Sequence, residues 1–416
     1  MRVVYPVLFF MMVSSLAISQ ALNDLQKRAD SLYKAKDFVR AAQTYHTTLR
    51  HIQPDQSGLL FRARLSLAKS WTSANLPDSA FVHIGHMLRL KGLVYNNLLS
   101  LTTDTDLLSL HTESRWNEMI DKLFSNITKD TREPLDDSYT QEEIIYGRKD
   151  GMALTMLHLK PKKNPNGKAI IQIRSGGWGS LFYMPGVTEA VPFLQKGYSV
   201  FIVFHGSEPV YTVVDAIEDM QRAVRFIRYH AKKFSIDPDK IGAQGASAGG
   251  HLALMLGLSD VSAAQYSPDP VDRVSSKVQA VVSFSPTMNF VDWDGKGNNA
   301  FSAFLFKQFL VHVLEFRKWD ASHRRFTYVK DEAEINEMLK QISPVSHVSA
   351  NDAAIMIFHG DEDELVPIAQ AELLTKLLKD KKLPMSYQMK KGGGHNWQRG
   401  EEENSKVMNW FAEHLK

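Results

Sequence analysis

The sequence predicts an α/β protein, with a mostly parallel sheet flanked by helices and preceded by a small all-α region of helical hairpins. Three observations carry that expectation. From Ala21 to about Leu123, apolar residues recur at three- and four-residue steps with almost no strand-like alternation, which is the helical period. Past a polar, proline-containing stretch, short continuous apolar runs alternate with amphipathic segments, the pattern of buried parallel strands exchanged with covering helices. Between one such run and an apolar helix lies Gly245-Ala246-Ser247-Ala248-Gly249, a serine-centred sharp turn.

Composition bounds what the chain can be. At 416 residues and 44% hydrophobic content it can bury a large core, and a net charge of +3 is small for that size. No basic run is interleaved with aromatics, so nothing suggests a nucleic-acid partner. With no cysteine, disulfides, thiolate metal sites and a lipid-attachment cysteine are excluded. At the N-terminus, Arg2 precedes an apolar run from Val3 to about Leu16, and Ala17 and Ser19 fit a cleavage site before Gln20, so residues 1–19 read as a signal peptide. The run is interrupted by Pro6 and shorter than the ~20 residues of a bilayer span, which predicts an exported protein, periplasmic or secreted, with no membrane span after cleavage.

Residues 21–127 are expected to form the helical domain, 128–141 a linker and 142–416 the catalytic domain. Within the first, Ala29, Leu32, Ala41, Tyr45 and Leu49 recur at equal spacing as Ala68, Trp71, Ala80, Ile84 and Leu88, which suggests two stacked helical hairpins. The segment Leu32 to Ala42 resembles the turn and second helix of a tetratricopeptide repeat, although the period is longer than the usual ~34 residues. Such hairpins either bind a protein partner or pack as an appendage, and the residues leave both open. Beyond the linker, Glu142 to Tyr146 and Ala153 to Leu159 read as strands paired around Lys149-Asp150-Gly151. Lys168 to Ile173 and Tyr198 to Phe204 read as buried strands enclosing a helix from Val187 to Gln195. Thr212 to Lys233 carries Val213, Ile217, Met220, Val224, Ile227 and Ala231 on one face and reads as a single amphipathic helix. Lys240 to Gln244, Val278 to Phe284, Ala354 to Phe358 and Met385 to Met389 read as further strands, with helices from Ile368 to Lys379 and from Asn404 to Leu415. The apolar segment Phe301 to Trp319 is either a cap over a binding pocket or a helix packed in the core.

Serine is a poor nucleophile without a base, and the base needs a group to fix its tautomer. Ser247 is the candidate nucleophile. Candidate partners follow the next two strands, an acid within Asp361-Glu362-Asp363-Glu364 and a base at His395 after three glycines. Both lie past the C-terminal ends of strands, where open α/β sheets place their sites. Asp363 is taken as the acid, which leaves the other three as solvated loop charges. His251, at i+4 from Ser247, is a rival base that helical geometry directs into packing. The Ala248 N–H and those of Gly176 and Gly177 are the candidate oxyanion donors, and Trp178 the candidate wall of the substrate pocket. No metal or cofactor is required by this set.

With these pieces assembled, the region from about Glu142 to the C-terminus resembles the α/β-hydrolase superfamily, specifically carboxylesterases of the hormone-sensitive-lipase-like and BD-FAE-like (bifunctional feruloyl and acetyl-xylan esterase) kind. The most specific stretch runs from Glu218 to Arg228, through Ile236-Asp237-Pro238-Asp239-Lys240-Ile241, to Gly245 to Ala253. The family's H-G-x-x-D-x-x-V-P falls on His359, Gly360, Asp363, Val366 and Pro367, which supports Asp363, and its terminal G-H falls on Gly394 and His395. Its H-G-G-G-W motif appears here as Arg174-Ser175-Gly176-Gly177-Trp178. Arg174 therefore stands where an imidazole braces the oxyanion loop, and would either form a structural ion pair or bind an acidic substrate group. The resemblance implies a serine esterase acting through a Ser-His-Asp triad and an acyl-enzyme, on acetyl or feruloyl esters of carbohydrate. Two alternatives remain, a prolyl-oligopeptidase-like exopeptidase and a catalytically impaired hydrolase acting as an interaction protein.

Overall fold

The computed structural model describes residues 24–416 apart from 54–56, 91–92, 94, 133–136, 181–186, 260–262, 309, 396 and 398. The expected signal peptide lies outside the described residues. The chain divides near residue 133 into two compact units.

The first unit is helical: α1 over 24–34, α2 Phe38–Leu49, α3 Ser57–Ser73, α4 Pro77–Met87, α5 Tyr95–Thr102 and α6 Ser114–Arg132. Asp37 caps α2 by accepting from the Arg40 N–H, and Pro77 opens α4 where its missing N–H costs nothing. The small residues of the repeat lie at the helix contacts, with Ala29, Ala41, Ala68 and Ala80 fully buried beside Leu67 and Ile84. Among the described residues, no helix is long and apolar enough to cross a membrane.

The second unit is built on an eight-stranded sheet of order β1-β2-β4-β3-β5-β6-β9-β10. Its strands are β1 Tyr139–Lys149, β2 Met152–Pro161, β3 Ala169–Ile173, β4 Ser199–Val203, β5 Ile241–Ala246, β6 Ala280–Phe284, β9 Ala354–Gly360 and β10 Met385–Lys390, while β7 Arg317–Asp320 and β8 Arg325–Tyr328 make a separate hairpin. β1 and β2 pair antiparallel around Asp150 and Gly151, both at positive φ, β2 joins β4 antiparallel, and every other pairing in the eight-stranded sheet is parallel. The covering helices are α7 Val187–Gln195, α8 Val213–Tyr229, α9 Ala231–Phe234, α10 Ala248–Leu258, α11 Phe304–Gln308, α12 Glu332–Gln341, α13 Ile368–Asp380 and α14 Glu401–His414.

Alternation along the strands assigns the two faces. Ile170, Val200, Val282, Phe284, Met356 and Phe358 pack with Phe193 of α7 and with Trp410 and Phe411 of α14. Their neighbours Ile171, Phe201, Ala243, Val281 and Ile355 pack with α8, α10 and α13. One expected single helix is broken, and the segment that the sequence left open between a cap and a core-packed helix is not a single helix. The segment Thr212 to Lys233 divides at His230 into α8 and α9, after a capping box between Thr212 and Asp215 has started the first. The segment Phe301 to Trp319 is a series of short turns, with Phe306, Val313, Leu314 and Phe316 buried and Phe304 exposed.

Candidate active site

The turn at Ser247 follows from what surrounds it. β5 enters and α10 leaves so tightly that Ser247 takes φ 52 and ψ −123, a strained conformation for a residue with a side chain. A Cβ on Gly245 would stand 2.3 Å from the Gly249 carbonyl oxygen, and one on Gly249 would stand 2.8 Å from that of Ile173. The flanking glycines are therefore required by strand-to-helix contact. The Ser247 N–H donates to the Phe284 carbonyl, which pins this turn to the next strand.

Ser247 Oγ lies 2.9 Å from His395 Nε2, and His395 Nδ1 lies 2.8 Å from Asp363 Oδ2 and 3.1 Å from Oδ1. With Nδ1–H donating to the carboxylate, Nε2 is the acceptor for the serine hydroxyl. The Asp363 side chain is wholly buried and the imidazole is 10% exposed. Oδ1 of Asp363 also accepts from the N–H groups of Leu365 and Val366. Burial pushes this carboxyl up, but the His395 hydrogen bond, the Val366 N–H and the two nearby imidazoles together hold it below its ordinary value. Asp361, Glu362 and Glu364 are all exposed.

Two residues of the H-G-x-x-D-x-x-V-P pattern, His359 and Gly360, hold this acid loop in place. His359, fully buried, donates Nε2–H to the Val366 carbonyl and lies 3.5 Å from Asp363 Oδ2, so it closes the loop that carries the acid. Gly360 meets the base loop directly, since a Cβ there would sit 2.0 Å from the Gly393 carbonyl oxygen. The Glu362 N–H donates to that carbonyl, and the Gly392 N–H donates to Asp361 Oδ1. The motif marks these two residues, but what they do is visible only once the second loop is in view.

The oxyanion loop differs from expectation in two places. Gly176 and Gly179 exchange reciprocal backbone hydrogen bonds of 3.0 Å, so the Gly176 N–H is committed to closing the turn. Among the described residues, no acceptor takes the N–H of Gly177 or of Ala248. Trp178 is 1% exposed and lies in the core against Phe290 and Phe306, not on a pocket wall. Its Nε1–H donates to His251 Nδ1, and His251 Nε2–H donates to the Ile342 carbonyl. Burial pushes the His251 pKa down to about 4, so the ring is a neutral spacer that fixes the indole. Leu310 packs against this loop, because a Cβ on Gly177 would stand 2.8 Å from its Cδ2.

Arg174 forms an ion pair. Its guanidinium is 3.2 Å from Glu189 of α7, whose other carboxylate oxygen accepts from Arg399 at 2.6 Å. The loop is braced by polar neighbours instead of an imidazole. Ser180 Oγ donates to the Arg174 carbonyl and accepts from the His205 N–H, and the Gly249 N–H donates to the Ser175 carbonyl.

A mostly parallel sheet with its serine turn after the central strand, and an acid and a histidine delivered from the next strand ends, defines an α/β-hydrolase. The chain belongs to the BD-FAE family, whose sequence profile matches residues 156–378. It is similar to esterase LipQ of Mycobacterium tuberculosis, 25% identical over 249 residues that make up 57% of this chain and 52% of that protein. An acetylxylan esterase of Xylanibacter ruminicola is 31% identical over 112 residues, 26% of this chain and 22% of the relative. The chain thus spans about half the length of LipQ. Among solved structures, a truncated carbohydrate esterase from gut microbiota superposes with a TM-score of 0.52 at 23% identity, covering 68% of this chain and 99% of that one. An acetyl ester-xyloside bifunctional hydrolase from Caldicellulosiruptor lactoaceticus gives 0.51 at 21% identity, covering 66% and 94%. These two likenesses concern the fold.

Proposed function

We propose that the protein is a serine carboxylic ester hydrolase. The observation that carries this reading is the unbroken hydrogen-bonded series from Ser247 Oγ through His395 to the buried Asp363 carboxylate. Ser247 Oγ attacks the ester carbonyl carbon while its proton passes to His395 Nε2, and the carbonyl π electrons move to oxygen. The Gly177 and Ala248 N–H groups hold that oxyanion, Ala248 at the N-terminus of α10. Collapse expels the alcohol, which takes the proton from His395, and water resolves the acyl-enzyme by the same steps in reverse. Asp363 orients the ring and stabilises its protonated form.

Acetyl or feruloyl esters of carbohydrate are the substrates this reading favours, supported by family membership and by the acetylxylan esterase relative. Export fits the Arg2 to Gln20 pattern, and the helical unit is read as a packing module or a surface for a protein partner. Purified protein is expected to hydrolyse 4-nitrophenyl acetate, and Ser247→Ala to lower kcat by about 10⁴-fold or more. Turnover that survives the substitution would remove Ser247 from the chemistry.

A further inference from the structure

The two candidate oxyanion donors come from different parts of the chain, Ala248 from the start of α10 and Gly177 from the loop after β3. An oxyanion is held well only when both N–H groups stand about 3 Å from one point, so the loop must be fixed against the helix. The Ser180 hydroxyl and the Trp178 carbonyl tie the loop to His205 and Glu208, which lie beyond the end of β4. Two other hydrogen bonds lead to α10, and they bracket Gly177 in the chain. On one side the Gly249 N–H donates to the Ser175 carbonyl at 3.2 Å, and on the other the Trp178 indole donates to His251 Nδ1 at 3.0 Å.

The loop backbone needs such an anchor. Gly177 has φ 55 and Trp178 φ 57, and a residue with a side chain keeps that left-handed conformation only where its surroundings hold it. His251 supplies a hold on Trp178. Both side chains are buried, so water does not serve either as a partner. His251 Nε2–H is committed to the Ile342 carbonyl at 2.7 Å, which leaves Nδ1 to accept from the indole N–H. The His251 backbone N–H meanwhile donates to the Ser247 carbonyl at 2.9 Å. One residue thus binds the turn at Ser247 with its backbone and the loop of Gly177 with its side chain.

We propose that His251 is a positioning residue that fixes the Gly177 N–H against the Ala248 N–H. Being fully buried, it touches no substrate. Without Nδ1 the indole N–H is left buried and unpaired, so Trp178 shifts towards another acceptor and takes the Gly177 peptide with it. This role rests on the esterase reading, because the oxyanion donors it aligns belong to acyl transfer.

Turnover of 4-nitrophenyl acetate by the full chain, and its inhibition by a trifluoromethyl ketone, test the role. The ketone adds to the serine and places its oxyanion between the same two donors. His251→Leu removes the acceptor and Trp178→Phe the donor. Each is expected to lower kcat at least about tenfold with KM changed less than about threefold, and to weaken the ketone by the factor lost in kcat/KM. The double variant is expected to lose no more than the worse single one, since either change removes the same bond. His251→Asn is expected to recover most of the loss, because its Oδ1 is bonded to Cγ as Nδ1 is. Circular dichroism and melting are followed for every variant, so that kcat is compared among folded proteins, and Trp178→Phe decides alone if His251→Leu does not fold. Parent-like kcat and ketone affinity in the single variants, losses that multiply in the double variant, or no recovery with asparagine overturns the proposal and leaves the esterase reading standing. A parent protein without turnover, or turnover that survives Ser247→Ala, removes the esterase reading and the positioning role with it.

Discussion

Burial separates Asp363 from the three acids around it. Those neighbours keep their water, whereas the Asp363 side chain has exchanged it for His395 and two backbone N–H groups. Its carboxyl consequently sits below the ordinary value of 3.8, against the upward push of burial. The sign follows from linkage: the stabilisation is complete above pH 3.8 and is lost as the pH falls through the lower folded value. Asp363→Asn keeps the size and can still accept from Leu365 and Val366, but it no longer holds the proton on His395 Nδ1. We expect kcat on 4-nitrophenyl acetate to fall by about 10³–10⁴-fold with KM changed far less. A fall in KM affinity with kcat preserved would mean that Asp363 shapes the pocket and leaves the imidazole alone.

Elements matter here through the places where two of them touch. The loops after β9 and β10 carry Asp363 and His395, and they interlock because Gly360 leaves room for the Gly393 carbonyl. Gly360→Ala would drive a methyl group into that carbonyl and displace the loop that ends at His395. We expect a loss of kcat of at least about 10²-fold, since misplacing a reacting group by ~1 Å costs that much, together with a lower urea midpoint. Activity equal to the parent protein would show that the loops move independently. The mostly parallel sheet with its flanking helices and the strand-to-helix turn at Ser247 were legible in the sequence because each rests on local pattern: an apolar run, a glycine pair. Trp178 and Gly176 were not legible in the same way. Whether an indole faces a pocket or the core depends on His251 and Phe290, far away in the chain, and whether an N–H is available depends on a turn partner three residues on. The break at His230 and the short turns between Phe301 and Trp319 are likewise set by tertiary packing, which overrides an apolar periodicity.

At the scale of the molecule, buried histidines contribute to how the unit built on the sheet responds to acid. His158 is stacked on Phe201, His205 bonds the Gly206 carbonyl, and His251 supports Trp178, all with 5% exposure or less. Burial lowers each pKa to about 4 from an ordinary 6.5. Folded protein thus binds fewer protons than unfolded protein between pH 6.5 and 4, so stability falls as the pH drops through that window. Each ring contributes at most about 3 kcal/mol to this loss. Glu208 opposes them, because burial raises its pKa to about 7 against the pull of Arg317, and its contribution is lost as the pH rises from 4.5 towards that value. Glu218, Asp219 and Asp352, raised by burial, oppose the rings too, and His359, lowered by burial, adds to them. Among the groups that move furthest, three rings stand against one carboxyl, which gives the expected net loss on acidification. The melting transition of the unit built on the sheet is expected to fall by at least about 5 °C between pH 7.5 and pH 5. His158→Phe tests the cause, since its ring stacks 4.4 Å from Phe201 and its Nε2 has no hydrogen-bond partner among the described residues. Phenylalanine fits that stack without titrating, so the variant is expected to melt less steeply with pH than the parent. An unchanged slope would move the acid sensitivity to His205, to His251 or to the carboxylates.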